Sequence, residues 1–345
     1  MTKGTRKGAF CYSVPFNRSL IEAQLFLDVV CVLFNSWGFS KNNRLVYKVG
    51  VEIFYSLLIS FFILGLIIGS FLNVVLFRFN TGMGLGGRSK CFSCRRELGP
   101  IDLVPVLSFL AFRGRCRTCK SKVSWQYPAV ELLTGALFAS TFAVFGQRIF
   151  TPFFFPGQFA IQMLFALTAM SLLVLIVVYD IRHKIIPDLF AFLFAALSFV
   201  GLFLRFDGQG WLHVAMPSIT ALSAGLILAF PFYFLWRVSS GKWMGLGDAK
   251  LALGIGWFLG IERGGTAIIF GFWVGAAISI VLLALGKLFS MDIFVEDRSI
   301  SRLLKKLHIS IPRLSMKSEI PFAPFLVAGL LIVFFFGYNM FSVFN

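Results

Sequence analysis

The sequence predicts an all-α, polytopic membrane protein with about eight transmembrane helices. Hydrophobic residues make up 58% of the 345-residue chain and charged residues only 14%, whereas soluble domains average about 45–50% and about 25%. The 44 phenylalanines suit a lipid-facing surface better than a single globular core. Several runs of about 20 apolar residues have the length that crosses a bilayer as a helix.

Eight apolar segments separated by polar loops are the predicted spans. The sixth is shorter than the others and is interrupted by glycines. In chain order the spans cover 55–76, 128–145, 158–179, 189–204, 213–236, 249–261, 266–285 and 321–341. We therefore divide the chain into an amino-terminal extension (1–50), a first transmembrane helix (51–77), a zinc-ribbon-like loop (78–126) and a polytopic core (127–345).

The distribution of lysine and arginine predicts the orientation. The formal net charge is +17, and most of the basic residues lie in the loops 78–126 and 286–319. Short basic loops remain cytoplasmic, so this charge indicates topology and argues against a nucleic-acid-binding protein. Residues 1–50 fit this pattern poorly. They are basic, yet the predicted topology places the segment before the first span on the side opposite to the cytoplasm. Their apolar stretch "LIEAQLFLDVVCVLF" is either an extra span or an interfacial helix.

Two acidic residues interrupt apolar sequence at the predicted cytoplasmic face. Asp180 ends the run "SLLVLIVVYD", and Asp248 ends "GLGD" at the start of a helix. Two carboxyls held close together in a poorly hydrated site share a proton. One can then act as a base on water while the other polarises a peptide carbonyl. The alternative interpretation is that Asp248 caps a helix and that Asp180 merely ends a span.

Gly245 and Gly247 precede Asp248. We expect them to adopt positive φ and to let an extended substrate approach the backbone closely. Two further acids lie outside this pair. Glu131, inside the second span, is expected to pair with an arginine of the loop, and its role is either structural or substrate-positioning. Asp188, after Pro187, is expected to be a helix N-cap.

Four of the six cysteines form two CxxC pairs in the basic loop. Cys91 and Cys94 form the first pair, and Cys116 and Cys119 form the second. This spacing is typical of a four-thiolate zinc site, in which the metal replaces a hydrophobic core that a short loop cannot build. Four protein ligands leave no open position, so the predicted zinc is structural. Disulfides, disfavoured in the cytoplasm, and a redox dithiol pair are the alternatives.

These features, in this order, resemble the prepilin peptidases, which are the type IV leader peptidases of bacteria. The resemblance covers about residues 69–329. Besides the CxxC pairs, it rests on "GSFLNVVLFRF" (69–79), "LSFLAFRGRCRTC" (107–119), "YPAVELLTG" (127–135), "DIRHKIIPD" (180–188), "GLGDAKLALGIGWFLG" (245–260) and "PFAPFLVAG" (321–329). Ala323 in the last motif stands where glycine is common in the family, and residues 1–50 have no counterpart.

The resemblance implies an aspartyl endopeptidase of the GxGD kind in the bacterial inner membrane. Its catalytic residues would be Asp180 and Asp248. Its substrates would be type IV prepilins or type II secretion pseudopilins, which lose a short basic leader at the cytoplasmic face. Because the four-cysteine loop is complete, the resemblance also implies N-methylation of the new terminus with S-adenosylmethionine. It assigns no residues to the cosubstrate, and it leaves the oligomeric state open.

Three other functions remain as alternatives at this stage. Another GxGD intramembrane protease would lack the cysteine loop. A proton-coupled transporter would carry internal repeats and acids near the bilayer midplane, neither of which is evident here. A non-catalytic scaffold for pilus assembly would not need Asp248.

Overall fold

The computed structural model describes residues 43–82, 84, 86–150, 155–206, 212–292 and 321–340. The chain divides into two compact units, Met1–Phe54 and Tyr55–Asn345. The described part of the first unit is helical. Most of the amino-terminal extension, including its apolar stretch, lies outside the described residues, as do residues 293–320 of the basic segment near the carboxyl terminus. The predicted boundaries of the four segments therefore stay predictions.

Each of the eight predicted spans corresponds to a helix, so the all-α fold class is confirmed. Within the described residues, a ninth, short helix lies in the cysteine loop. The helices are α1 (Asn43–Arg78), α2 (Leu107–Ala111), α3 (Gln126–Phe145), α4 (Pro156–His183), α5 (Asp188–Gly201), α6 (Ile219–Ser239), α7 (Leu246–Leu259), α8 (Ile261–Asp292) and α9 (Ala323–Phe336). Single 3₁₀ turns occupy Pro100–Leu103 and Gly146–Phe150.

Five of these helices contain segments that are long and apolar enough to cross a membrane. These segments lie in α1, α3, α4, α6 and α8. In contrast, α5, α7 and α9 have 14 residues each, or about 21 Å at 1.5 Å per residue. This is shorter than a hydrocarbon core of about 30 Å. How many helices cross the bilayer completely thus stays a prediction.

The structure corrects the boundary between the fourth and fifth predicted spans. Instead of helix, the chain forms a short antiparallel hairpin, in which β1 (Leu204–Phe206) pairs with β2 (Leu212–Val214). Helix α5 ends at Gly201 and α6 begins only at Ile219. Hydropathy extended both spans into the hairpin because each three-residue strand has apolar residues at both ends and directly adjoins apolar sequence.

The fold is centred on α7, which packs against α5, α6, α8 and α9. Glycines allow these close crossings. A Cβ on Gly256 would lie 2.6 Å from the Cα of Gly225 on α6, and one on Gly254 would lie 2.5 Å from the Phe194 ring on α5. Small residues let membrane helices approach until their backbones are nearly in contact. Leu251 and Ile255 of α7 are completely buried as a result.

Candidate active site

Asp180 lies near the carboxyl end of α4, and its side chain is buried, with 4% of the residue exposed. Its Oδ2 accepts a hydrogen bond of 3.2 Å from the backbone N–H of Ala323. Ala323 is the first residue of α9, and the first N–H groups of a helix have no partner within it. A carboxylate at this position satisfies one of them and lies at the positive end of the helix dipole.

Asp248 is the third residue of α7 and is 8% exposed. Its carboxyl accepts from the backbone N–H of Gly245, the residue before the helix. In return, the Asp248 N–H donates to the Gly245 carbonyl at 3.3 Å. The carboxyl-to-backbone contact is one half of a capping box. The capping interpretation is therefore partly correct, although Asp248 lies inside the first turn and Gly245 is the N-cap.

The fold brings the two aspartates together. Asp180 is close enough to Asp248 for their charges to interact. Each carboxyl lies at the amino end of a different helix, and both are shielded from solvent. Such a pair can hold one proton between the two groups, with one carboxyl as base and the other as acid.

The structure corrects the expected role of the glycines. Neither Gly245 nor Gly247 adopts positive φ, since Gly245 is extended (φ −75°, ψ 149°) and Gly247 is in the first turn of α7. A Cβ on Gly247 would lie 2.7 Å from the Cβ of Ile186 in the loop after α4, whereas one on Gly245 would make only ordinary contacts. Gly247 therefore permits close packing next to Asp248. A substrate approach at Gly245 stays a prediction.

Glu131 has a different partner from the one expected. It is 6% exposed on α3, and its Oε2 accepts a 2.8 Å hydrogen bond from the backbone N–H of Val106. No loop arginine pairs with it among the described residues. Val106 has φ 59° and ψ −49°, which is unusual for a β-branched residue. The bond therefore ties a strained turn of the cysteine loop to a membrane helix.

The four cysteines of the loop converge. Their Sγ atoms all lie within 4.8 Å of one another, and all four are free thiols. The Sγ atoms of Cys91 and Cys119 are 3.8 Å apart. A tetrahedral zinc site with Zn–S bonds of about 2.3 Å has S···S edges of about 3.8 Å, whereas a disulfide is about 2.05 Å long. The cluster therefore fits a four-thiolate metal better than disulfides.

The two CxxC pairs form equivalent turns. In the first, the Cys91 N–H donates to the Arg96 carbonyl, and Lys90 and Glu97 form a β-bridge. In the second, Cys116 donates to Ser121, and Arg115 pairs with Lys122. Arg95 and Lys120, directly after the second cysteine of each pair, both have positive φ.

These turns direct backbone N–H groups at sulfur. The N–H groups of Cys94 and Ser93 lower the pKa of the Cys91 thiol to about 6. The thiolate is the form that binds metal, so these N–H groups favour the metal-binding form of Cys91, whereas desolvation and the neighbouring Cys91 and Cys119 thiols raise the pKa of Cys94 to about 11.

Two family models match the chain in sequence order. Residues 63–145 match the bacterial peptidase A24 N-terminal domain, and residues 167–288 match the type IV leader peptidase family. A protein of Klebsiella pneumoniae, named prepilin leader peptidase/N-methyltransferase, is 32% identical over 207 residues, which cover 58% of this chain and 83% of the relative. The chain belongs to the type IV leader peptidase family.

Further relatives of the leader peptidase family extend the match. A protein of Bacillus subtilis (strain 168) with the same name is 29% identical over 282 residues, covering 81% of this chain and 95% of the relative. No solved structure matches the chain. Membership of the leader peptidase family, together with the apolar helices, makes this a multi-pass protein of the inner membrane. The matches give no support to the transporter or scaffold interpretation.

Sequence reasoning missed two features of this leader peptidase site. The donor to Asp180 is the backbone of Ala323, and Asp188 is no N-cap. Instead, Pro187 holds the N-cap position, and Asp188 is the first residue of α5 and forms an ion pair with Lys250. The sequence did single out Ala323, Asp188 and Lys250, because each lies in a stretch that carries the family resemblance. What each residue contacts became evident only from the packing of the helices.

Proposed function

We propose that this protein is a membrane-embedded aspartyl endopeptidase that removes the basic leader from type IV prepilins or type II secretion pseudopilins. Asp180 and Asp248 are its catalytic residues. The observation that carries this proposal is the pair of buried carboxyls, each held by a backbone N–H at the amino end of a helix. The family assignment supports the substrate class.

The chemistry needs only these carboxyls and a water molecule. The ionised member of the pair takes a proton from the water, whose oxygen attacks the scissile carbonyl carbon. The protonated member donates to the carbonyl oxygen. As the tetrahedral intermediate collapses, the C–N bond breaks and the leaving nitrogen takes up the proton that the base removed from water. One hydroxyl of the intermediate returns its proton to the other carboxylate, which restores the pair. The bonds from Ala323 and Gly245 hold each carboxyl in position during these transfers.

The protein also methylates the new amino terminus, with S-adenosylmethionine as the methyl donor. The names of the relatives support this second activity. Cys91, Cys94, Cys116 and Cys119 hold a structural Zn²⁺, since four thiolates complete a tetrahedron and leave no position for substrate. The zinc loop and the two aspartates lie on the cytoplasmic side, an orientation supported by the basic loops.

A membrane assay with a type IV prepilin tests the proposal. Membranes that contain the wild type should shorten the prepilin by its leader, and mass spectrometry should find an added methyl group on the product. Asp180→Asn and Asp248→Asn should each abolish the shortening, because an amide cannot replace either acid or base. Glu262→Gln, an exposed acid at the start of α8, is the matched control and should process normally. Shortening at the wild-type rate by either aspartate variant would contradict the proposal.

A further inference from the structure

We infer that the ion pair between Lys250 and Asp188 positions Asp248 against Asp180 by fixing the rotation of α7 relative to α5. The inference rests on the proposed function, because its readout is leader cleavage. Lys250 and Asp188 would be positioning residues, since they act on the reaction through Asp248.

The pair is short and partly sheltered. Lys250 Nζ lies 2.6 Å from Asp188 Oδ1, and 19% of the lysine side chain but 68% of the aspartate side chain is exposed. The same Nζ lies 5.0 Å from the centre of the Phe192 ring, one turn further along α5. A sheltered ammonium requires a charged or hydrogen-bonding partner, and an aromatic face adds a second attraction. Lys250 is therefore held on α5 by two directional contacts.

The neighbouring contacts between α5 and α7 are apolar. Gly247 meets Ile186 just before α5, and Gly254 meets Phe194 on α5. Gly247 precedes Lys250 by three residues and Gly254 follows it by four, so all three lie on the same face of α7. The glycine contacts set how closely the helices approach, whereas a hydrogen-bonded ion pair also has a preferred direction. The ion pair can therefore fix the rotation of α7, which close packing alone specifies less strongly.

Rotation of α7 determines where Asp248 points. Asp248 precedes Lys250 by two residues, so the two side chains diverge by about 200° at about 100° per residue. Lys250 faces α5, and Asp248 faces the opposite side, where it meets Asp180 of α4. Helices α4 and α5 are joined by a short turn in which the Lys184 N–H bonds the Asp180 carbonyl at 2.7 Å. Holding one face of α7 on α5 thereby aligns its other face with Asp180.

A rival role for Lys250 is direct binding of an anionic group of the substrate. In that case Asp188 would compete with the substrate, so removing the Asp188 charge would improve substrate binding or leave it unchanged. A positioning pair predicts the opposite result, in which loss of either charge gives the same defect.

The experiment is a double-mutant cycle on leader cleavage with purified protein. Lys250→Met and Asp188→Asn should each lower kcat by about 10–100-fold, the scale of a misplaced catalytic group, with KM little changed. The double variant should be no worse than either single variant, because the second change removes nothing further. Lys250→Arg, which keeps the charge, should retain most of kcat. Glu262→Gln, which alters the exposed contact between Glu262 and Asn339, is the control and should be neutral.

Three results would overturn the inference. They are unchanged kcat in Asp188→Asn, losses that multiply in the double variant, and a defect confined to KM. If Lys250→Met fails to fold, Asp188→Asn and Lys250→Arg still decide between the two roles. A wild type that cleaves no prepilin would contradict the proposed function itself. An active wild type with fully active single variants would overturn the positioning role alone.

Discussion

The cysteine loop and the aspartate pair are built in opposite ways. The four cysteines lie close together in sequence, and each CxxC turn forms from its own backbone hydrogen bonds. Asp180 and Asp248 come from separate helices, and their proximity depends on the packing of α4, α5, α7 and α9. One site is therefore local and suited to completion by a metal, whereas the other depends on how the whole helical core is assembled.

This difference predicts that disruption of the cysteine cluster has the largest effect on its own loop and a small effect on the core. Cys116→Ser should abolish metal binding, because a hydroxyl is a poor ligand where zinc needs a thiolate. The wild type should contain one zinc per chain by elemental analysis, and the variant none. Limited proteolysis should then cut the loop at residues 88–122, while helix content by circular dichroism stays close to that of the wild type.

Two outcomes would contradict the local character of this site. The first is global loss of helix content in Cys116→Ser. The second is zinc retained at the wild-type level. Cys31→Ser, outside the loop, is the control and should leave the zinc content unchanged.

The helical core leads to the opposite prediction: a single substitution at Gly247 should affect the stability of the whole fold. Its Cβ would lie 2.7 Å from Ile186 Cβ, so Gly247→Ala forces α7 away from the loop that follows Asp180. Overpacking of this kind costs about 1–3 kcal/mol. The thermal unfolding midpoint should fall, and leader cleavage should fall with it. Gly245→Ala is the matched control, because its Cβ meets only ordinary contacts and φ is −75°. An equal loss of stability in both variants would count against this packing role.

A smaller effect is expected at Glu131, where the cysteine loop contacts helix α3. Glu131→Gln keeps the shape of the side chain but weakens its bond to the Val106 N–H, which loses a charged acceptor. Replacing a charged acceptor by a neutral one costs about 1 kcal/mol. Hydrogen exchange at the amide of Val106 should accelerate, while zinc content and helix content stay unchanged. Unaltered exchange at Val106 would show that the bond does not hold this turn.

Local patterns explain why much of the architecture could be predicted. The lengths of the apolar runs identified the helices at all eight predicted spans, and the cysteine spacing identified the thiolate cluster. Both signals are short-range, since a helix hydrogen-bonds within itself and each CxxC turn brings together two thiols that are near in sequence.

Most of the errors arise from long-range contacts. Glu131 bonds a backbone N–H, and every residue except proline carries one, so its partner could not be identified from residue type. The Lys250–Asp188 pair joins residues that are 62 positions apart. The glycines before Asp248 were expected to provide flexibility, but Gly247 is required by packing against Ile186. The hairpin at Leu204 was missed because each strand is only three residues long, with apolar residues on both sides of Arg205 or His213, so hydropathy did not separate it from the flanking helices.

The most direct test of the account separates substrate binding from chemistry at the aspartate pair. Purified wild type and Asp248→Asn are each mixed with a prepilin, and bound and cleaved prepilin are quantified in the same sample. The account predicts that Asp248→Asn binds the prepilin with an affinity similar to that of the wild type and leaves its leader attached. Cleavage by this variant at the wild-type rate would contradict the claim that the buried carboxyl pair performs the hydrolysis.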